Sequence, residues 1–537
     1  IDDFNNFNLR NGGQHGWNSR IQDGIISKLV KETNIDRMGY EPAIVYLNGD
    51  YWGLYGIREK IDEHYVESNH GMRSDKVDLL NRDSALAGSS NHFMESFEII
   101  QNTSIQDTGF INIFSSRFDI ENYIDYFITQ TYIQNMDWMG IAWGLNNVKL
   151  WRPDTLGGVW RYVLYDTDAS FGYFGQNIWD NYINAARFPT VSSEHSQIFS
   201  KVLMNHDFKC KFTNRYDDLI NTIFQPNYFN QISDELKNSI SSAIPTHINL
   251  WASQGSGLNS FSQWSNAISS ISSYNSARIA TARSHINQSL NLQGQRTVQL
   301  DVYPPNTGKI NISTISPDIY PWNGVYHGGC PLNITAIADS GYSFSHWESN
   351  AITANNLEDE NLHNINLNSG YTFRAHFTTC DEALEVTIEN SKDGFLISNV
   401  TGFSTDILYQ WYANGQPVSN DSIIYNPSNG VYKLYVTSGN CQMLSNLFIY
   451  EENDYDLEVY PNPAQNEFEL IFLLTSIQDI EISLMNSLGQ EISKNKIDDF
   501  IGQYKKIIDV SYLSKGVYFI QLKTDNEIFN KKIILSR

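Results

Sequence analysis

The chain has 537 residues, which at roughly 100–200 residues per domain sets an expectation of about three to five domains. Apolar residues make up 41% and charged residues only 18%, so several cores can be buried and a charge-driven disordered polymer is excluded. Lysine and arginine total 36 against 60 aspartate and glutamate, and the net charge of -24 disfavours bulk binding to nucleic acid.

Ile1 rather than Met opens the chain, with no charged-then-apolar leader, so the expectation is that an upstream segment has been removed. No apolar run of about 18 residues occurs, and no transmembrane helix is predicted. Residues 20–30 carry Ile21, Ile25, Ile26, Leu29 and Val30 on one helical stripe. In "PAIVYLNGDYWGLYGIREKI" two aromatic and branched runs flank Asn48-Gly49-Asp50, which predicts a β-hairpin. Its Tyr51, Trp52 and Tyr55 are expected to pack in the core and between lobes rather than to stack on a base. Residues 118–132 read as a helix, with Phe118, Ile120, Tyr123, Ile124, Phe127 and Ile128 at the required offsets. "VKLWRP" and "VWRYVLYDTD" read as strands separated by turns at Pro153-Asp154 and Gly157-Gly158. Residues 197–292 are mainly helical in pattern.

Beyond about residue 293 the texture changes to short alternating strands with turn residues every 8–12 positions or so, as in tandem all-β modules. The predicted fold class is therefore multidomain α+β, with an N-terminal α+β domain at 1–292 and β modules at 297–378, 380–450 and 455–537. The boundaries are set by "PPNTG", the Cys380 region and the acidic "EENDYD".

No Walker A loop, G-x-G-x-x-G, H-E-x-x-H or G-x-S-x-G occurs, which removes the common nucleotide-loop, zinc-protease and serine-hydrolase classes. The four cysteines, Cys210, Cys330, Cys380 and Cys441, include no C-x-x-C pair and are too few for a disulfide-dense scaffold. His15, His64, His195 and His206 lack ligand spacing and are assigned no metal. What remains is a set of carboxylate and amide groups near strand and helix ends. Asp166 and Asp168 finish an apolar strand, and paired oxygens suit a hard cation such as magnesium, although Asp-x-Asp pairs also serve as solvated turns. Asp137 follows the 118–132 helix, with Asn147 shortly after it. An Asp, Asn, Asp order matches the parts of a phosphoryl-transfer site, in which one carboxylate orients the hydroxyl and the others hold magnesium. The alternative for Asp137 is a helix cap or loop carboxylate.

"NLRNGG", "RIQDG", "VYLNGDYWGLYGIREKID", "NMDWMGIAWGLNNVKLW" and "WRYVLYDTDASFG" occur in this order and resemble the spore-coat CotH kinase family, an atypical secreted branch of the protein-kinase-like fold. The resemblance covers about residues 1–292, about half the chain, and "SSYNSARIATARSHINQSLNL" extends it to the family's closing helices. It implies that Asp137 is the catalytic-loop carboxylate, that Asp166 binds the metal, and that Asn147 is the accompanying amide ligand. Asp168 belongs to the same metal motif. Arg58, Glu59 and Lys60 would flank the nucleotide, or else form an exposed charged strand end. ATP and Mg2+ are the implied cofactors, and Ser or Thr of an extracellular protein is the implied acceptor. Family members usually carry a strand with a Lys and a Gly-containing segment upstream of "LRNGG", and these are expected to lie outside this chain.

In the tail, "GYSFSHWESN" with "FRAHF" is similar to small secreted bacterial repeat modules, with Gly341, Phe344 and Trp347 expected to build the core. The order Cys380, Trp411, Cys441 resembles an immunoglobulin-like sandwich, which implies a Cys380–Cys441 disulfide and an oxidising compartment. "VYPNPAQNEFEL", "LMNSLGQEI" and "LSKGVYFIQLKTDNEIFNKKIILSR" resemble the C-terminal type IX secretion sorting domain of Bacteroidota. Here Pro461 and Pro463 are expected to open an edge strand, Gly489 and Gly516 to make turns, and "TDNE" to close a hairpin. The resemblance implies engagement of the type IX secretion machinery and a secreted or outer-membrane surface-attached protein. The leading reading is a secreted kinase-like phosphotransferase. The alternatives are a non-catalytic adhesin or a polysaccharide-associated binding protein that uses the same domain as a scaffold.

Overall fold

The computed structural model describes residues 6–536 apart from 256, 352–356, 381–384, 392–394, 402–406, 426, 439–440, 451–456, 488 and 525–527. The "EENDYD" boundary and most of the "TDNE" turn lie outside the described residues. Among the described residues no helix is long and apolar enough to cross a membrane. Two compact units are formed, residues 1–338 with 344–377, and residues 339–343 with 378–537.

The first unit begins with β1 (Phe7–Arg10), α1 (Gln22–Leu29), β2 (Asp36–Arg37) and the hairpin of β3 (Tyr40–Leu47) and β4 (Asp50–Glu59). Asn48 and Gly49 turn the hairpin at φ of 52° and 92°, the left-handed pair that an Asn-Gly turn adopts at least cost. β1 adds to β4 in the order β1-β4-β3, with Asn8 opposite Arg58 and Arg10 opposite Gly56. One sheet face buries Tyr40, Leu54 and Arg58. Gly24 of α1 and Gly56 of β4 clasp the Tyr40 ring so closely that a Cβ at either would lie 2.4 or 2.7 Å from it. The small side chains are what let helix and hairpin approach.

α2 (Glu63–His70) is capped by Asp62, whose carboxylate accepts from the backbone N–H groups of His64 and Tyr65, and it ends on left-handed Gly71. It leads to β5 (Val77–Asn81) and β6 (Ser84–Ala87), then α3 (Asn91–Asn102), α4 (Phe110–Ser115) and α5 (Ile120–Tyr132), then β7 (Lys149–Pro153) and β8 (Arg161–Leu164). The five strands run in the order β2-β8-β7-β5-β6, with β2 parallel to β8. All of residues 122–132 in α5 are buried, which makes it the central helix. α6 (Tyr182–Arg187), α7 (Glu194–Val202), α8 (His206–Asn221), α9 (Pro226–Ser241), α10 (Ile244–Trp251) and α11 (Phe261–Leu290) complete the helical body. One continuous apolar core reaches from Ile21 to Leu290.

The compact unit continues through the change of texture near residue 293. β9 (Gln295–Tyr303), β10 (Gly308–Ile312), β11 (Trp322–His327), β12 (Leu332–Ala338), β13 (Tyr342–Ser349), β14 (Asn361–Ile365) and β15 (Tyr371–Thr379) form two sheets, β10-β12-β14 and β11-β9-β15-β13. Trp347 is fully buried, with the Phe344 ring 5.5 Å away. The module is joined to α8 by more than apolar contact. Cys210 and Cys330 form a disulfide that sequence spacing did not reveal. Asp217 accepts from the His327 backbone N–H at 2.8 Å and its ring Nδ1 at 2.9 Å, and pairs with Arg283 at 3.2 Å. Asp218 accepts from the Tyr326 hydroxyl at 2.7 Å and from the N–H and hydroxyl of Thr314 at 3.0 and 2.7 Å. Both carboxylates are fully buried, so each is viable only because the module supplies its partners.

The second unit is all β. Its first part has a three-stranded sheet and a five-stranded sheet around fully buried Trp411, and Cys380 is bonded to Cys441. Its last part is a five-stranded sheet with Gly489 in a turn at φ 78°. Two local expectations are corrected there. Pro461 and Pro463 end the short edge strand Glu458–Tyr460 rather than open it, since a proline has no N–H to extend a ladder. Gly516 is the first residue of a strand, opposite Leu535, rather than a turn residue.

Candidate functional site

β8 delivers its last residues into a loop where Asp166 holds φ at 48°, a left-handed conformation that costs energy in a side chain without glycine's freedom. Arg10 at the end of β1 reaches both loop carboxylates, donating from Nη1 to Asp166 Oδ1 at 2.7 Å and from Nη2 to Asp168 Oδ2 at 2.6 Å. Gly13 sits over this contact at φ 55°. A Cβ there would lie 2.5 Å from both Arg10 Nη2 and Asp168 Oδ2. Asp168 is 2% exposed, and among the described residues its Oδ1 has no hydrogen-bond partner.

Between the two aspartates, Thr167 bonds Asp23 of α1 through its N–H at 3.1 Å and its hydroxyl at 2.6 Å. Asp23 also pairs with Arg58 of β4, and their side chains are 6% and 3% exposed. Arg58 Nη1 and Asp23 Oδ2 lack a well-aligned hydrogen bond, so the contact is Coulombic. Burial alone would raise the Asp23 carboxyl, but Arg58 and Thr167 hold it below the usual carboxylate range. Asp168 goes the other way: burial pushes it up to about 7, the Asp23 charge adds to that, and Arg10 opposes it. Burial likewise raises Asp166. His15, lowered to about 4 by burial, is neutral at pH 7, with Nε2 2.7 Å from the Asp168 carbonyl oxygen. Gln22 of α1 donates to the Asp168 and Ser170 carbonyls at 3.2 and 3.1 Å.

Asp137 lies in the loop after α5. Its Oδ1 accepts from Asn146 Nδ2 at 2.7 Å and its Oδ2 from Asn147 Nδ2 at 3.1 Å. Asn147 Nδ2 also approaches the carbonyl oxygens of Asp137 at 2.8 Å and Asp166 at 3.4 Å. Asp137, Asn147 and Asp166 thus meet at one amide, with Asp168 beside them in the Arg10 fork. The 58–60 triplet divides. Arg58 touches the loop through Asp23, whereas Glu59 is spent on the Gly39 N–H at 2.8 Å and Asn69 at 2.9 Å. Lys60 is 53% exposed and pairs with Asp62 at 3.0 Å. Among the described residues, no three or more His, Cys, Asp or Glu side chains converge as a metal-ion site.

Arg10, Gly13, His15 and Asp23 were missed as site residues by sequence reasoning, although "NLRNGG" and "RIQDG" contain three of them. Of the packing expected for the hairpin aromatics, Trp52 shows the contact with the helical body and not burial in the core: it meets Trp251 of α10 edge to face, is 40% exposed and lines a cavity.

The family model for CotH kinase protein matches residues 1–281, that for a divergent InlB B-repeat domain matches 314–381, and that for a secretion system C-terminal sorting domain matches 458–536. The sorting-domain match marks the protein for secretion or attachment at the cell surface. No curated protein matches the chain. Among solved structures, the BSP domain of a biofilm associated protein is 10% identical with a TM-score of 0.14, over 45% of this chain and 66% of that one. A ligand-free PulA mutant from Klebsiella pneumoniae is 8% identical with a TM-score of 0.12, over 44% of this chain and 31% of that one. The chain thus spans less than two thirds of either structure's length.

Proposed function

This chain belongs to the CotH kinase protein family, and on that premise we propose that its N-terminal domain is an extracellular protein kinase, moving the γ-phosphoryl group of ATP to a Ser or Thr hydroxyl. One observation supports this reading above the others. The Asn147 amide touches Asp137 and the Asp166 carbonyl at once, so the loop after α5 and the end of β8 converge. Asp137 would orient the acceptor hydroxyl and take its proton. The donor set fits a hard cation such as Mg2+: Asp168 Oδ1 is buried and unpartnered among the described residues, and magnesium takes only one or two protein carboxylates beside phosphate and water. Asp166, Asp168 and Asn147 would hold it, and when bound it neutralises charge on the phosphate oxygens. Asp23 and Arg58 position the loop, and Lys60, paired with Asp62, has the solvent-exposed cationic head of the 58–60 triplet.

Asp166→Ala is expected to lower transfer of labelled phosphate by about 10²-fold or more while the circular dichroism spectrum is unchanged. Equal incorporation by parent and variant refutes the assignment. A second reading, a non-catalytic adhesin or polysaccharide-associated protein, draws support from Arg10, which already neutralises both loop carboxylates. Calorimetry with ATP and magnesium separates the two, since only the kinase reading requires nucleotide binding.

A further inference from the structure

Gly13 also lines a cavity of about 310 Å3, at the lower end of the range for small-molecule sites. Its walls are Trp17, Trp52, Tyr55 and Trp251, with Arg20 and His247 between them. Trp52 and Trp251 meet edge to face, with centroids 5.3 Å apart. Trp52 Nε1 donates to the Tyr55 hydroxyl at 3.1 Å and Trp251 Nε1 to the Trp52 carbonyl at 2.7 Å, so both rings are fixed. Two of the indoles nevertheless remain open, Trp17 at 48% and Trp52 at 40% exposure. A preorganised aromatic surface left wet is a binding surface in waiting.

Arg20 is the sharper signal. It is 7% exposed, and its backbone is held at φ 66°. Its guanidinium donates to the carbonyls of Gly16, Asn11 (2.8 Å) and Leu54 (2.6 Å), and among the described residues no carboxylate pairs with it. Carbonyl dipoles spread a buried charge without cancelling it. Arg58, by contrast, has Asp23. His247, 5% exposed, accepts at Nδ1 from the Leu54 N–H at 3.3 Å, which leaves the proton of the neutral ring on Nε2. Among the described residues that N–H has no protein acceptor.

We propose that this cavity binds a single hexuronate residue at the end or branch of an extracellular glycan. The C–H face of the pyranose lies on an open indole, its carboxylate meets Arg20, and a hydroxyl accepts from His247. A neutral sugar would leave the Arg20 charge unmet, and an inorganic anion would leave the indoles wet. The net charge of -24 works against a long polyanion, which limits the occupant to one acidic residue. The sorting domain places the site outside the cell, where such residues are met.

Titration calorimetry of the full chain with glucuronate and with galacturonate tests this without nucleotide, so its outcome is independent of phosphoryl transfer. Saturable binding is expected at millimolar concentrations or below, with glucose and galactose at least tenfold weaker. Trp52→Ala and Trp17→Ala should each weaken it tenfold or more with unchanged far-ultraviolet circular dichroism, and Arg20→Gln should erase the preference for the acid. Should Arg20→Gln unfold, the two tryptophan variants still decide. No saturable binding, unchanged affinity in both tryptophan variants, equal binding of the neutral sugars, or tighter competing binding by ATP or benzoate would each overturn the proposal.

Discussion

Asp23→Ala would strand a cation. Arg58 is 3% exposed and among the described residues its Nε already lacks a hydrogen-bond partner, so removing the facing carboxylate leaves a guanidinium with no countercharge among them in contact. The N–H and hydroxyl of Thr167 lose their acceptor in the same step. Breaking one member of a buried pair costs about 3–5 kcal/mol. At about 1.4 kcal/mol per tenfold, that is a loss of roughly two to three and a half decades in the equilibrium against local opening. Hydrogen exchange read by mass spectrometry is the suitable assay, because it resolves α1 and β4 in a chain whose several domains do not share one unfolding free energy. Protection in both elements should fall by that amount. The double variant Asp23→Leu with Arg58→Met removes both charges and should return protection to within about tenfold of the parent. A fall of less than tenfold in Asp23→Ala alone refutes the reasoning, for Arg58 would then have found water or another partner at no great cost.

Three further outcomes are expected. Burial raises the Asp218 carboxyl from 3.8 to about 6, against hydrogen bonds from Thr314 and Tyr326. Between those values the folded state binds more protons than the unfolded, so its contribution to stability is full below about pH 4, falls as pH rises to about 6 and is flat above. Asp218→Asn should remove that slope in exchange protection of α8 and β11. The Cys210–Cys330 bond spans 120 residues, and Cys210→Ser is expected to cost about 2–4 kcal/mol and to make residues 295–377 sensitive to limited proteolysis. Unchanged cleavage rates would count against a stabilising role. A methyl at Gly24 would sit 2.4 Å from Tyr40, and Gly24→Ala should destabilise α1 and the hairpin by about 1–3 kcal/mol in the same exchange measurement.

Local pattern carried much of this architecture. The Asn48-Gly49 turn, the stripe of Ile21, Ile25 and Leu29, and the change to short strands after 293 are each visible in a few adjacent residues, and each corresponds to an element of the structure. Asp137, Asn147 and Asp166 could be proposed together because their order matched a known parts list. Arg10 could not, since β1 has four residues with an exposed pattern and no periodicity to mark it. Asp23 reads as a polar residue on an amphipathic helix, and only the fold turns it inward onto Arg58 and Thr167. The Cys210–Cys330 bond was equally hidden, because no local pattern shows that two cysteines 120 residues apart lie side by side. Residue type marks Trp52 as a packing aromatic of the core or between lobes, and only the fold shows that it meets Trp251 of α10 with 40% of its surface open.

The carboxylates at 217 and 218 have a consequence for the order in which the chain matures. They are synthesised roughly a hundred residues before His327 and Tyr326, so during translation α8 exists with two acidic groups whose final neighbours have not yet been made. Docking of α8 into a dry environment must wait for β11 to arrive. A fragment stopped at Leu292 would therefore keep that helix hydrated and its surroundings loosened. The compact unit that holds partners for both carboxylates runs on into β15 and does not stop where the helices end.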